Sequence, residues 1–172
     1  MRSTQATRPG CKAKPVRVHV LERSQRVEVP IDRAFAFYGD ERNLEPLTPP
    51  WLNFEVMTPR PISMASGTLL EYRLKLHGVP IRWRTRIDAW EPPSRFTDFQ
   101  EKGPYKLWEH THTFEADGES ETIIHDHVRY AIPYGPLGSL AHRLFVRRDL
   151  ERIFDYRRDA VAERIGAQTA FG

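Results

Sequence analysis

From Val16 to Val29 apolar and polar residues alternate, with Val16, Val18 and Val20 on one parity and Val27 and Val29 together on a later one. A period of two belongs to a β-strand, in which successive side chains point to opposite faces. The phase slips between Leu21 and Val27, so the long first strand is expected to contain a bulge or a strong twist. Pro30 ends it. Residues 31–38 then read as a short helix, followed after Gly39 by a second helical piece that Pro46 and the Pro49-Pro50 pair stop. Strand-like alternation returns over Leu52 to Met57, Thr68 to Leu76, Ile81 to Trp90, Arg95 to Glu101, Tyr105 to Phe114 and Thr122 to Ile132. Ser66-Gly67, His77-Gly78, Pro92-Pro93, Gly103-Pro104 and Asp117-Gly118 supply the turn geometry between these segments. Beyond Pro133 and Gly135-Pro136 the period lengthens. Leu140, Leu144, Val146, Leu150, Ile153, Phe154, Val161 and Ile165 predict one helix from about Leu137 to Ile165, on the order of 40 Å long at 1.5 Å per residue.

Connections this short cannot cross over a sheet, so the strands are expected to be antiparallel. The predicted order is strand, two small helices, six strands and a long helix, which makes an α+β chain. A length of 172 residues suits one domain with a real core. Residues 1–15, broken by Pro9, Gly10 and Pro15, read as a flexible basic tail, residues 16–166 as the domain, and residues 167–172 as a C-terminal tail.

Parity also sorts the ionisable residues. Trp108, His110, His112 and Phe114 share one strand face, and its two large aromatics mark that face as the interior. On the last strand Ile124, Asp126, Val128 and Tyr130 form the more apolar set, which turns Asp126 inward and sends His125 and His127 outward. For Arg95 to Glu101 the pattern alone leaves both assignments open, since Phe96, Asp98 and Gln100 oppose Thr97, Phe99 and Glu101.

A formal charge of +3 and a pI near 9.2 raise the question of a nucleic-acid partner. The arginines are scattered: Arg82, Arg84 and Arg86 alternate along one strand, and Arg147, Arg148, Arg157 and Arg158 punctuate the helix. No nucleic-acid motif accompanies them, so none is expected. No apolar run approaches the roughly 18 residues of a membrane helix. The lone Cys11 excludes an intrachain disulfide and, with no signal-like apolar stretch near the N-terminus, points to the cytosol.

Several local motifs occur in order over about residues 16 to 160: Gly78-Val79-Pro80-Ile81-Arg82-Trp83, Trp90-Glu91-Pro92-Pro93, Phe96-x-Asp98-x-Gln100, Gly103-Pro104-Tyr105, Trp108-x-His110-x-His112-x-Phe114, Tyr130-x-Ile132-Pro133-Tyr134-Gly135 and Phe154-x-Tyr156-Arg157. In these the chain resembles the START and Bet v 1-like (SRPBCC) superfamily, and within it a bacterial polyketide cyclase/dehydrase-like branch. The resemblance implies a helix-grip fold, in which a curved antiparallel sheet of about seven strands wraps a long C-terminal helix and encloses a ligand cavity. It also favours Phe96, Asp98 and Gln100 as the inward set. A candidate polar cluster follows: Asp98, Gln100, His110, His112 and Asp126.

Buried ionisable groups must find partners. The cluster therefore either pins the strands together, orients a ligand, or transfers protons, and the residues alone do not choose. Tyr72, Trp83, Trp108, Phe114 and, on the helix, Leu144 or Phe145 are the expected cavity lining. Arg143, Arg147 and Arg148 would meet an anionic headgroup or simply solvate a surface. At most the two inward histidines and Asp126 can converge on a cation, so no functional metal and no cofactor are expected. There is no G-x-S-x-G elbow for nucleophilic catalysis. The expected function is binding, transport or sequestration of a small hydrophobic molecule such as a lipid, isoprenoid or polyketide. The alternative is a cyclase or dehydratase in which His110 or His112 takes a proton and Asp126 or Asp98 orients it. In a third reading side chains fill the cavity.

Overall fold

The computed structural model describes residues 17–133, 138, 140 and 142–167. The expected tail at 1–15, with Cys11, the expected helix start at Leu137 and all of the expected tail at 167–172 except Ala167, which closes the last helix, lie outside the described residues. The strands are β1 (Val18–Val27), β2 (Glu55–Val56), β3 (Leu69–Leu76), β4 (Val79–Glu91), β5 (Arg95–Lys102), β6 (Leu107–Ala116) and β7 (Thr122–Ala131). They form one sheet in the order β1-β7-β6-β5-β4-β3-β2, and every neighbouring pair is antiparallel. Helix α1 (Ile31–Gly39) and two 3-10 turns (Glu41–Asn43 and Pro50–Leu52) follow β1, and helix α2 (Arg147–Ala167) follows a π-helical turn at His142–Val146.

Two elements differ from the sequence pattern. β1 contains no phase slip, because its pairing with β7 runs unbroken from Val18↔Ala131 to Val27↔Thr122. Its inward set is His19, Leu21, Arg23, Gln25 and Val27, while Val18 and Val20 lie exposed on the outer face of this edge strand. Polar groups are tolerated inward there because β1 meets the flank of α2, where the Gln25 amide donates to the Arg158 carbonyl at 2.8 Å. The segment expected as a strand from Leu52 to Met57 keeps only Glu55 and Val56 in the sheet. Pro50–Leu52 form a 3-10 turn and Asn53 turns into the left-handed region at φ 43°, which consumes the first half.

The bulges sit on the β4 and β5 pair, with register shifts between Arg84 and Thr85 and between Ile87 and Ala89. Each extra residue bends the strand and tightens its twist. The second shift also changes which parity of β4 faces inward: Trp83, Thr85 and Ile87 point in before it, and Trp90 packs against Phe35 and Phe96 after it. Gly39 closes α1 against the same indole, where a Cβ would come within 2.7 Å of Trp90.

The apolar interior divides in two. One cluster joins α1 (Ala34, Phe35, Phe37, Tyr38) to Phe96, Phe114 and Ile124 of the sheet and to Ala160, Val161 and Ile165 at the C-terminal end of α2. The other joins Leu21, Trp83, Trp108, Val128 and Tyr130 to Leu150 and Phe154 at the N-terminal end of α2. On the outer face, arginines on β4 and β7 pair with acids across the strands, Arg84 with Glu71, Arg86 with Glu101 and Arg129 with Glu109.

Candidate functional site

Register brings four ionisable side chains together on the inner face. Asp98 of β5 stands opposite His110 of β6, and His112 of β6 stands opposite Asp126 of β7. Each carboxylate also reaches the other histidine along the diagonal, which cross-strand neighbours permit. His110 Nε2 is hydrogen-bonded to Asp126 Oδ1 at 2.9 Å. His112 Nδ1 lies 2.8 Å from the same oxygen but out of line for a hydrogen bond. On the other side, His110 Nδ1 and His112 Nε2 each lie 3.5 Å from Asp98 Oδ2. The imidazoles are nearly sealed from solvent, at 4% and 3% exposure, with ring centroids 3.8 Å apart. Phe96 stacks on His112 at 4.2 Å and Phe154 of α2 meets His110 edge-on.

Burial opposes charge on every member, and their mutual attraction decides which keep it. For Asp126 burial favours the neutral acid, but the His110 hydrogen bond and the charge of both neighbouring imidazoles outweigh it and hold the carboxyl well below the usual range. Asp98 is likewise held below its ordinary value by His112 and His110, with help from the Arg157 guanidinium. Burial and the neighbouring His112 push His110 down, whereas His112 is raised because Asp126 and Asp98 overcome its burial.

This cluster borders a cavity of about 190 Å³ between the inner face of the sheet and α2. Tyr72, Trp83 and Trp108 line it, as do Asp98, His110 and His112. Gln100, Phe114, Asp126 and Leu144 do not. Gln100 donates from Nε2 to the Tyr105 carbonyl at 2.7 Å and accepts the Tyr105 N–H at 3.3 Å, so its amide closes the β5–β6 turn. Phe114 is one step too far along β6 and packs under α1. Asp126 stands behind the histidines, and Leu144 turns to solvent on the π-helical turn, as does Phe145. Arg143, Arg147 and Arg148 are exposed and off the wall. His125 and His127 face outward, toward Ser24 and Glu115 and toward Glu22.

Lining residues that parity did not single out include Tyr38 on α1, Leu47 and Leu52 in the segment that follows it, Leu70 and Leu74 on β3, Thr85 and Ile87 on β4, and Leu150, Ile153 and Arg157 on α2. Thr85 Oγ1 accepts from Trp83 Nε1 at 3.0 Å and is hydrogen-bonded to the Tyr72 hydroxyl at 2.6 Å, which fixes two aromatic walls to one another. Burial raises the Tyr38 and Tyr72 phenols far above their ordinary value, so both stay protonated. Arg157, one of the arginines scattered along the helix sequence, is half-buried on the cavity wall beside Asp98, with its guanidinium 6.0 Å from the Phe154 ring centroid. The spacing Leu150, Ile153, Phe154, Arg157 is one helix face and was legible as such.

No family model matches the chain, and no curated protein does. Solved structures do match. The ZhuI aromatase/cyclase of Streptomyces sp. R1128 shares 16% identity over 91% of this chain and 99% of its own, with a TM-score of 0.72. A START superfamily protein from Mycobacterium smegmatis shares 12% over 87% and 99%, TM-score 0.64. Norcoclaurine synthase of Thalictrum flavum, in complex with dopamine and hydroxybenzaldehyde, shares 14% over 93% and 98%, TM-score 0.62. The chain has the START and Bet v 1-like helix-grip fold. In this helix-grip frame the sheet supplies the polar cluster and α2 the facing wall, and among the described residues no helix is long and apolar enough to cross a membrane.

Proposed function

We propose that the protein binds a small, largely apolar molecule carrying one polar group, held between the aromatic walls of the cavity with its polar group toward Asp98, His110, His112 and Arg157. The observation that supports it is the junction of an apolar wall with an ionisable cluster at one partly open cavity, the usual composition of a small-molecule site. A volume of about 190 Å³ lies below the roughly 300 Å³ where drug-sized pockets begin and slightly above the ~150 Å³ that accepts benzene. A single substituted aromatic ring is the matching size, narrower than the lipid, isoprenoid or polyketide that the family resemblance suggests. The ligands in the norcoclaurine synthase complex, dopamine and hydroxybenzaldehyde, are of that size.

Calorimetric titration with 4-ethylphenol tests this. The expected dissociation constant is micromolar to low millimolar, and Leu74→Trp, which enlarges a lining residue of β3, is expected to weaken binding by tenfold or more. Equal binding by both proteins, or none by either, would remove the cavity as the site. A second reading, acid–base catalysis, is favoured by two imidazoles that share one carboxylate and are shifted in opposite directions, His110 down and His112 up. One then gives up a proton more readily and the other takes one up more readily. Under it, His110→Gln keeps ligand affinity and loses turnover of the bound molecule.

A further inference from the structure

Beyond ligand binding, the geometry points to a metal site: we infer that Asp98, His110 and His112 bind a divalent first-row transition ion, zinc foremost, with the fourth position opening into the cavity. Asp126 Oδ1 accepts from His110 Nε2 at 2.9 Å, which leaves the other ring nitrogen, Nδ1, facing Asp98 Oδ2 at 3.5 Å, longer than an ordinary N–H···O bond. His112 is placed likewise, with Nδ1 beside Asp126 at 2.8 Å and Nε2 3.5 Å from Asp98 Oδ2. A cation between the two facing nitrogens and the carboxylate oxygen would satisfy all three atoms at once.

The distances suit a metal better than they suit direct hydrogen bonds. Ligand bonds of about 2.1 Å in a tetrahedron put neighbouring donor atoms about 3.4 Å apart, and the two histidine-to-Asp98 separations are 3.5 Å. All three donor atoms lie within 4.8 Å of one another. Asp126 then fills the role that metal-binding histidines ordinarily require, a carboxylate on the ring nitrogen opposite the metal that fixes tautomer and orientation. Three protein ligands of this type with one open position is the pattern of a reactive rather than a purely structural zinc site. Asp98, His110 and His112 border the cavity whereas Asp126 does not, so water or an oxygen of a bound ligand completes the shell from that side. The sequence pattern allows at most the two inward histidines and Asp126 to converge and predicts no functional metal; register instead brings Asp98 to the facing nitrogens and leaves Asp126 as their support.

Cobalt(II) is the probe, because its visible absorption reports both binding and tetrahedral geometry. Protein stripped with EDTA and titrated with Co(II) is expected to take up one equivalent with an intense visible band. Zinc is expected to displace it. His110→Gln and Asp98→Asn should each weaken uptake at least tenfold, Asp126→Asn by about 10- to 100-fold, and the outward His125→Gln and His127→Gln not at all. If an inner-face variant fails to fold, hyperfine-shifted ring-proton resonances of His110 and His112 in the Co(II)-loaded native protein provide the same assignment without substitution. Absence of uptake at tenfold excess of cobalt would overturn the site, as would uptake that survives both His110→Gln and Asp98→Asn or that depends on His125 and His127. Titrating 4-ethylphenol into the EDTA-treated protein separates this inference from the ligand reading, which stands or falls there without any metal.

Discussion

Gln100 and Asp98 are two residues apart on the same strand face, and only one of them reaches the cavity. Gln100 is turned away by the backbone of Tyr105, to which both ends of its amide are hydrogen-bonded, and Gly103 makes that possible because a Cβ there would stand 2.3 Å from Gln100 Oε1. Gly103→Ala is therefore expected to break these bonds and cost about 1–3 kcal/mol in denaturant unfolding. In a Gln100→Ala background the same change should cost only ~0.5 kcal/mol, since nothing remains to displace. A full cost in both backgrounds would mean that the glycine acts through its own backbone. Strand parity identified the inner faces of β6 and β7 correctly because each has a clean alternation of large apolar and polar residues. It could not say where along a face the cavity begins, which is why Phe114 and Gln100 were grouped with the wall.

At the scale of elements, α2 does two jobs with its two ends. Its C-terminal part seals the dry cluster under α1 through Ala160, Val161 and Ile165, and its N-terminal part offers Leu150, Ile153, Phe154 and Arg157 to the cavity. Ile165→Ala should cost about 2–5 kcal/mol by loss of buried contacts, whereas Leu144→Ala on the π-helical turn should stay within ~0.5 kcal/mol, both read from chemical denaturation. A large loss for Leu144 would show that the turn packs inward in solution. The apolar spacing from Leu140 to Ile165 made the helix legible but not the turn, because a π-helical turn inserts one residue into a period that the pattern treats as uniform. The slip read in β1 failed for the opposite reason. Val18 and Val20 look like core residues by type, but on an edge strand they cover an outer face.

For the molecule as a whole, the strand order and the facing helix leave one half of the interior packed and the other half hollow. That division follows from residue size and register more than from hydrophobicity. Phe35, Phe96 and Phe114 interlock at 5.3 to 6.0 Å between centroids, while Tyr72, Trp83 and Trp108, in ring contact at 5.4 to 6.0 Å and with Tyr72 and Trp83 joined through Thr85, form a wall that borders the cavity. The four tryptophans sample these regions separately, since Trp83 and Trp108 line the cavity, Trp90 belongs to the packed half and Trp51 is exposed. The most direct test is a proton–nitrogen correlation spectrum of the four indole N–H groups during titration with 4-ethylphenol. Saturable shifts of Trp83 and Trp108, with Trp51 unmoved, are the predicted result; shifts confined to Trp51, or none at saturating ligand, would contradict the cavity as the binding site.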